Sequence, residues 1–445
     1  MHSRLIVKNF GPIDFVDLDL RNVNVFIGPQ ASGKSALAKI YTIFKAPRKF
    51  LKDENNNSKA NRSSENSFNE ILEEYNISSF LKSNTEIQFE SELHSIEYKD
   101  DKLVYLPKVL NKIQDLEILA TNFKENHLAI KRGIQELGDN FVLFEIRVIT
   151  MLEGNDPSKR LTNFKKFQEL DEADFSKIVS IIKEIEANLS TNTALYIPAE
   201  RNFINIIKNY SLSLLHNNVP IPKHILSFGA ELEKAPIKEI DLKFLQKDLF
   251  YKSIDGEDRI FTDEKHSIKL SEAASGIQSV LPILIPILFR KSFSEHRSFV
   301  IEEPELNLFP VAQYGLIKQL ESSRRESYWE DYGTIHTYTT HSPYILSAIN
   351  NLLYAHKVKS TIRLLGNTEG LQSEEKLVTD IIPAEINPYY FTAYQICNGK
   401  AESIFDRETG LIKENYIDEA SDKIGDDFEA LMDLKEKYSI TPNES

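Results

Sequence analysis

The chain has 445 residues, a mass of 51.1 kDa and a formal net charge of −14. Its 41% hydrophobic and 27% charged residues suit a globular chain with a sizeable core and exclude disorder throughout. The charge argues against a generally basic nucleic-acid binder. It is uneven: Ala401 to Ser445 holds 13 acidic and 5 basic residues, net −8, which leaves −6 for the first 400 and room for a local basic groove.

Met1-His2-Ser3-Arg4 lacks the apolar stretch of a signal peptide, so a cytoplasmic protein is expected. Leu5-Ile6-Val7 and Phe15–Leu20 read as strands around the turn Gly11-Pro12. Asn22–Ile27 predicts another strand. Ala36–Phe44, with Leu37, Ile40, Tyr41 and Phe44 at helical spacing, predicts a helix. Asp53–Ser67 is polar, rich in Asn and Ser, and reads as a loop. Glu86–Tyr105 predicts short antiparallel strands around the turn Lys99–Lys102.

Pro107 to Ser190 is helical in character. Ile130, Ile134, Leu137, Phe141, Phe144, Val148 and Leu152 are spaced 4-3-4-3-4-4, an a/d seam of about three heptads. Gly138-Asp139-Asn140 interrupts it. An inserted helical bundle is the plainer reading, and a protruding hairpin used for assembly is the alternative.

Strands return at Ala194–Ile197, at the hairpin signal Asp255-Gly256, at Ser298–Ile301 and at Ile335–Thr339. Val280–Arg290 predicts a buried helix despite Pro282 and Pro286. Ser342–Leu353 predicts another, with Pro343 in its first turn. The longest apolar run, Val280–Phe289, is ten residues and too short to span a bilayer, so no membrane partner is expected. The single cysteine, Cys397, allows no intrachain disulfide and no cysteine-built zinc site.

Four motifs carry chemistry. Gly28-Pro29-Gln30-Ala31-Ser32-Gly33-Lys34-Ser35 matches G-x-x-x-x-G-K-[ST] between an apolar strand and an amphipathic helix. The glycines let backbone N–H groups wrap a phosphate, and the helix beginning at Ala36 adds its positive end. Lys34 would reach the β- and γ-phosphates, and Ser35 would hold Mg²⁺. Second, the strand Phe299-Val300-Ile301 ends in Glu302-Glu303. Glu302 can support the metal, and Glu303 can orient or deprotonate the attacking water.

Third, Ser271–Gln278 places a Ser/Gly turn ahead of an apolar helix. Ser275, Gly276 and Gln278 are candidates for a second anion site, although Ser275 alone reads as a helix N-cap. Fourth, Thr339-Thr340-His341-Ser342-Pro343 delivers His341 to a strand end, where it can meet a γ-phosphate or the water.

These elements, in this order, resemble the ABC-type branch of P-loop ATPases, which includes transporter ATPases, SMC and Rad50 proteins, RecF and the OLD-like ATPases. Read that way, Gly28–Ser35 is the Walker A and Ser298–Glu303 the Walker B. Ser271–Gln278 is the signature, and His341 the switch histidine. The resemblance implies an α/β P-loop fold with a mixed sheet, an antiparallel β subdomain and an inserted helical element. It also implies ATP and Mg²⁺ as cofactors. Two ATPs would be sandwiched between two protomers, each touching Lys34 of one chain and Ser275-Gly276 of the other.

Glu302-Glu303-Pro304-Glu305-Leu306-Asn307-Leu308-Phe309-Pro310, Tyr196–Arg201 and Tyr394–Gly410 resemble the OLD-like group (AAA15 and AAA21). That group includes the ATPase subunits of the PARIS and Septu anti-phage systems. The signature lacks the Leu-Ser-Gly-Gly-Gln string of transporters. Gln88 and Arg201 are the candidates for sensing the γ-phosphate. The 104 residues after His341 contain no Asp-x-Asp of a Toprim nuclease, so no nuclease is expected within this chain.

The expected organisation has four parts. Residues 1–105 begin the ATPase domain and its β subdomain, and 106–190 form a helical insert. Residues 191–365 complete the domain, and 366–445 form an acidic C-terminal region. The expected function is a Mg²⁺-dependent ATPase that senses an invader, forms a homodimer or larger homo-oligomer, and controls a separate effector, a nuclease from a neighbouring gene. A DNA-repair ATPase of the Rad50 or RecF kind and a nucleotide-locked scaffold are the alternatives.

Overall fold

The computed structural model describes residues 2–46, 64–91, 94–107, 194–292, 298–324, 334–365 and 371–438. The 4-3 seam from Ile130 to Leu152, the rest of the expected helical insert from 108 on, and most of the polar loop 53–67 lie outside the described residues.

In chain order, β1 (Ser3–Phe10) and β2 (Ile13–Leu20) form a hairpin. Next come β3 (Val23–Ile27), α1 (Lys34–Lys45) and α2 (Ser64–Glu74). The strands β4 (Glu86–Ser91), β5 (His94–Lys99) and β6 (Lys102–Pro107) follow. After β7 (Ala194–Ile197), a 3₁₀ turn at Ala199–Asn202 leads into α3 (Phe203–His216) and α4 (Lys223–Glu233). A small antiparallel sheet of β8 (Glu239–Asp241), β9 (Phe250–Ile254), β10 (Glu257–Phe261) and β11 (Ser267–Lys269) precedes α5 (Ser275–Ser292). There follow β12 (Ser298–Glu302), α6 (Pro310–Ser323), β13 (Ile335–Thr339), α7 (Pro343–Leu365), α8 (Leu371–Ile381), β14 (Phe391–Cys397), β15 (Lys400–Ser403), a two-stranded ribbon of Phe405–Asp406 and Leu411–Ile412, and α9 (Tyr416–Tyr438). Among the described residues no helix is long and apolar enough to cross a membrane.

The main sheet has eleven strands in the order β6-β5-β4-β1-β2-β15-β14-β3-β13-β12-β7. One end, β6 to β2, is antiparallel, and the run from β14 to β7 is parallel. Every residue of β3, β7, β12 and β13 is buried because both faces of these strands are covered. Along β12, Phe299 and Ile301 enter the core on the side of α5, α6 and α7, and Val300 enters the core on the side of α1. The result is a three-layer α/β/α body with an antiparallel wing.

The segment 366–445 does not stand apart as an acidic region. Its strand β14 lies inside the sheet, between β15 and the strand that feeds the glycine loop, where Phe391, Ala393 and Ile396 are buried. The acidic surplus sits beyond it, in α9, where residues 423–436 are all exposed.

At the opposite pole from the strand C-termini, Glu321 of α6 is fully buried. It accepts bonds from Arg324 Nε at 2.9 Å and Tyr338 Oη at 2.6 Å, and His336 Nδ1 lies 2.9 Å away. Burial pushes its carboxyl up, but His336, Arg324 and Tyr338 together outweigh this and hold it at about 2. This depressed value means stability that is present above the ordinary glutamate range and is lost as pH falls toward 2. Glu321→Ala leaves a buried guanidinium without its carboxylate. A loss of roughly 3–5 kcal/mol in urea unfolding at pH 7 is expected, with a smaller difference from wild type at acidic pH. Equal midpoints at pH 7 would show that the network carries no stability.

Candidate functional site

The site is set by register. Glu302 pairs with Thr339, Thr339 with Phe26, and Phe26 with Tyr394, so four parallel strands are level. The residues just past those ends, Gly28, Glu303, Thr340 and His341, therefore emerge at one edge of the sheet. Ligands of open α/β sheets bind at such an edge.

The loop after β3 needs its glycines. Gly28, Ala31 and Gly33 have φ of 145°, 60° and 103°. A Cβ on Gly28 would lie 2.1 Å from the carbonyl oxygen of Ile396 in β14, and one on Gly33 would lie 2.4 Å from Ile13 Cδ1. The first clash is with backbone and cannot be relieved by a side-chain rotation. Lys34, at 5% exposure, turns back over the loop and donates to the carbonyls of Gly28 (2.9 Å) and Pro29 (2.7 Å). Burial pushes its ammonium down to about 8, against the pull of Glu303, Glu302 and Glu305.

Three carboxylates face this lysine. Glu302 is 4% exposed, and burial raises its pKa, while the hydroxyls of Tyr196 and Ser35 oppose the rise. Its Oε1 is buried without a hydrogen-bond partner. Glu303 leaves the strand in the left-handed region, φ 42°, with its amide on the Thr339 carbonyl at 2.9 Å. That conformation costs a non-glycine residue roughly 1–2 kcal/mol, and such strain gathers where function fixes the backbone. Its Oε1 lies 3.8 Å from Nε2 of His341. Burial and the Lys34 charge push the His341 pKa down, against Glu303 and the Gly28 carbonyl, so the ring is neutral at pH 7. Glu305 accepts from Thr340 Oγ1 (2.7 Å) and the His341 amide (2.8 Å), which ties the carboxylate loop to the histidine segment.

The Ser275 turn packs on the same loop from the other side. A Cβ on Gly276 would lie 2.7 Å from the Asn307 carbonyl oxygen. Asn307, itself at φ 60°, donates from Nδ2 to Ser279 Oγ at 2.9 Å.

The predicted residues divide accordingly. Gly28, Lys34, Glu302, Glu303 and His341 converge. Gln30, Ala31 and Ser35 are exposed along the loop and the first helical turn, with Ser32 and Gly33 between them, whereas the Ala36 side chain is buried in the core. Ser275 is exposed on its turn, while Gln278 is turned inward, donating to the Ala273 carbonyl at 2.8 Å.

The two γ-phosphate sensors are not supported. Gln88 lies on β4 in the antiparallel wing, bonded to Glu97 at 3.0 Å. Arg201 is fully buried and spends its donors on backbone carbonyls. The sequence reading assigned no role to Glu305 or Asn307, although both stand in the quoted string Glu302–Pro310.

Among the described residues no group of three or more His, Cys, Asp or Glu side chains could hold a metal by itself. One carboxylate and one hydroxyl do suit Mg²⁺, which draws its remaining ligands from phosphate and water. The partnerless Oε1 of Glu302, with the Ser35 hydroxyl against the same carboxylate, fits that demand.

A glycine loop between strand and helix, with a strand-end carboxylate pair two strands away, fits a P-loop ATPase. The chain belongs to the AAA ATPase domain family AAA_15, which matches residues 1–346. No curated protein matches it. Similar solved structures include an SMC head bound to the C-winged helix domain of ScpA, 8% identical, covering 92% of this chain and 99% of that one, TM-score 0.40. The SMC head domain from Thermotoga maritima is 11% identical, covering 91% and 98%, TM-score 0.36. The recombination mediator protein RecF-ATPrS is 11% identical, covering 91% and 98%, TM-score 0.30.

The lowered Lys34 makes nucleotide binding pH-dependent. A triphosphate beside the ammonium raises its pKa again, so binding takes up a proton above about 8 and weakens as pH rises further. Calorimetry of ATP binding near pH 9, in buffers of different ionisation heat, should show more proton uptake than near pH 7. Equal proton counts at the two pH values would contradict this account of the lysine.

Proposed function

We propose that the protein is a Mg²⁺-dependent ATPase that works between two copies of the chain and regulates a separate effector in anti-phage defence. The convergence of the Gly28–Ser35 loop, Glu302-Glu303 and His341 at one sheet edge supports the catalytic part. The likeness of Glu302–Pro310, Tyr196–Arg201 and Tyr394–Gly410 to OLD-like ATPases supports the defence part.

In this reading the loop amides bind the phosphates, and Lys34 exchanges its two carbonyl partners for β- and γ-phosphate oxygens. Ser35 and Glu302 would hold Mg²⁺, which would supply positive charge against the phosphates. Glu303 accepts the hydrogen bond, and then the proton, of the attacking water. Water oxygen bonds to the γ-phosphorus, and the bond to the β-γ bridging oxygen breaks, giving ADP and phosphate. His341 positions the γ-phosphate from the next strand. The exposed Ser275 turn serves the nucleotide of the second copy, through Ser275 and the amides after it.

Purified protein should turn over ATP, and chelating Mg²⁺ should stop it. Lys34→Ala should abolish binding and turnover together. Glu303→Gln should lower kcat about a hundredfold or more while nucleotide still binds. Linear duplex DNA should leave the rate unchanged; strong stimulation with steep salt dependence would favour the repair reading. In cells carrying the neighbouring genes, phage plating should be restricted by wild type and not by Glu303→Gln. Equal plating on both would sink the regulatory role.

A further inference from the structure

The fully buried guanidinium of Arg201 reaches three parts of the fold at once. Nε donates to the Ser279 carbonyl of α5 at 2.8 Å. Nη1 donates to the Pro198 carbonyl at 3.1 Å and to the Glu302 carbonyl at 2.7 Å. Nη2 donates to the Glu303 carbonyl at 2.8 Å. All four acceptors are backbone, so the group fixes chain path rather than a side-chain rotamer. Two of them belong to the carboxylate pair, and the third lies one helical turn from Ser275.

The carbonyls of Glu302 and Glu303 sit where β12 ends and the chain bends sharply at Glu303, φ 42°. A planar fork with a fixed charge can hold two adjacent carbonyls and a third element together, and a lysine cannot. The second tie between the same two parts is the Asn307 to Ser279 bond at 2.9 Å. Signature turn and carboxylate loop thus form one braced unit.

We propose that Arg201 is a positioning residue that holds Glu303 in register with the Ser275-Gly276 turn, so that occupancy of that turn sets the geometry of hydrolysis at Glu303. The proposal rests on the reaction described above. Arg201 touches no reacting atom; it acts through the backbone of Glu302 and Glu303. None of these four hydrogen bonds goes to the Gly28–Ser35 loop, so losing them should separate hydrolysis from binding.

Arg201→Lys keeps the charge and loses the fork. Its kcat should fall about a hundredfold, as expected for a misplaced reacting group, while mant-ADP affinity stays within threefold of wild type. Amide hydrogen exchange over residues 302–307 should speed up at least tenfold, with residues 28–37 unchanged. A kcat within threefold of wild type, or unchanged exchange over 302–307, would overturn the proposal. Should Arg201→Lys fail to fold, Asn307→Gly, which suits φ 60°, and Ser279→Ala each cut the second tie. Each should lower kcat about tenfold, and the double variant no further. Additive losses, or none, would count against one braced unit. A wild type without turnover would refute the reaction itself, and the exchange measurement would still decide the role of Arg201.

Discussion

Everything at this site depends on where four parallel strands stop. The level pairing of Tyr394, Phe26, Thr339 and Glu302 puts the glycine loop, the histidine and the carboxylate pair at the same height. A one-residue slip in any strand would exchange its two faces and bury a functional side chain. The apolar residues on both faces of β12 guard against that slip in the carboxylate strand, because each face has its own core to fill. The site is thus a by-product of packing on both sides of the sheet.

The electrostatics follow from crowding charges into a half-buried place. Burial disfavours the ionised forms of Lys34, His341, Glu302 and Glu305 alike. Lys34 meets this by lying on two carbonyls, and Arg201 by lying on four. Glu302 keeps an oxygen with no partner at all. A triphosphate with its Mg²⁺ brings the missing counter-charges of both signs. On the proposed reading, nucleotide and metal would relieve burial costs that the folded chain already carries, and the two should bind together rather than singly.

Much of this was legible in the chain. The strand, glycine loop and helix from Asn22 to Phe44 follow from local rules, as does the apolar strand running into Glu302-Glu303. The strand β14 was not legible. Phe391–Cys397 mixes Thr, Tyr and Gln into its apolar residues and lies at the head of an acidic stretch, so composition hid its place beside β3. The reason for glycine at position 28 was hidden with it, since the atom that excludes a side chain is the Ile396 carbonyl, 368 residues away. Arg201 was misread for a related reason. A cationic side chain offered as a γ-phosphate sensor was expected to face the nucleotide, and only the fold reveals carbonyls around it.

The strain at Glu303 gives the arrangement a direction. A residue held at φ 42° needs restraint from both sides, here the Thr339 carbonyl on its amide and Arg201 on its own carbonyl. One restraint comes from the histidine strand and the other from the element that also grips the Ser275 turn. Movement in either neighbour alters the same strained bend. A carboxylate placed on a relaxed strand would feel neither. The left-handed turn thus makes the candidate base responsive to two segments at once, and a glycine there would adopt the same shape without needing either restraint.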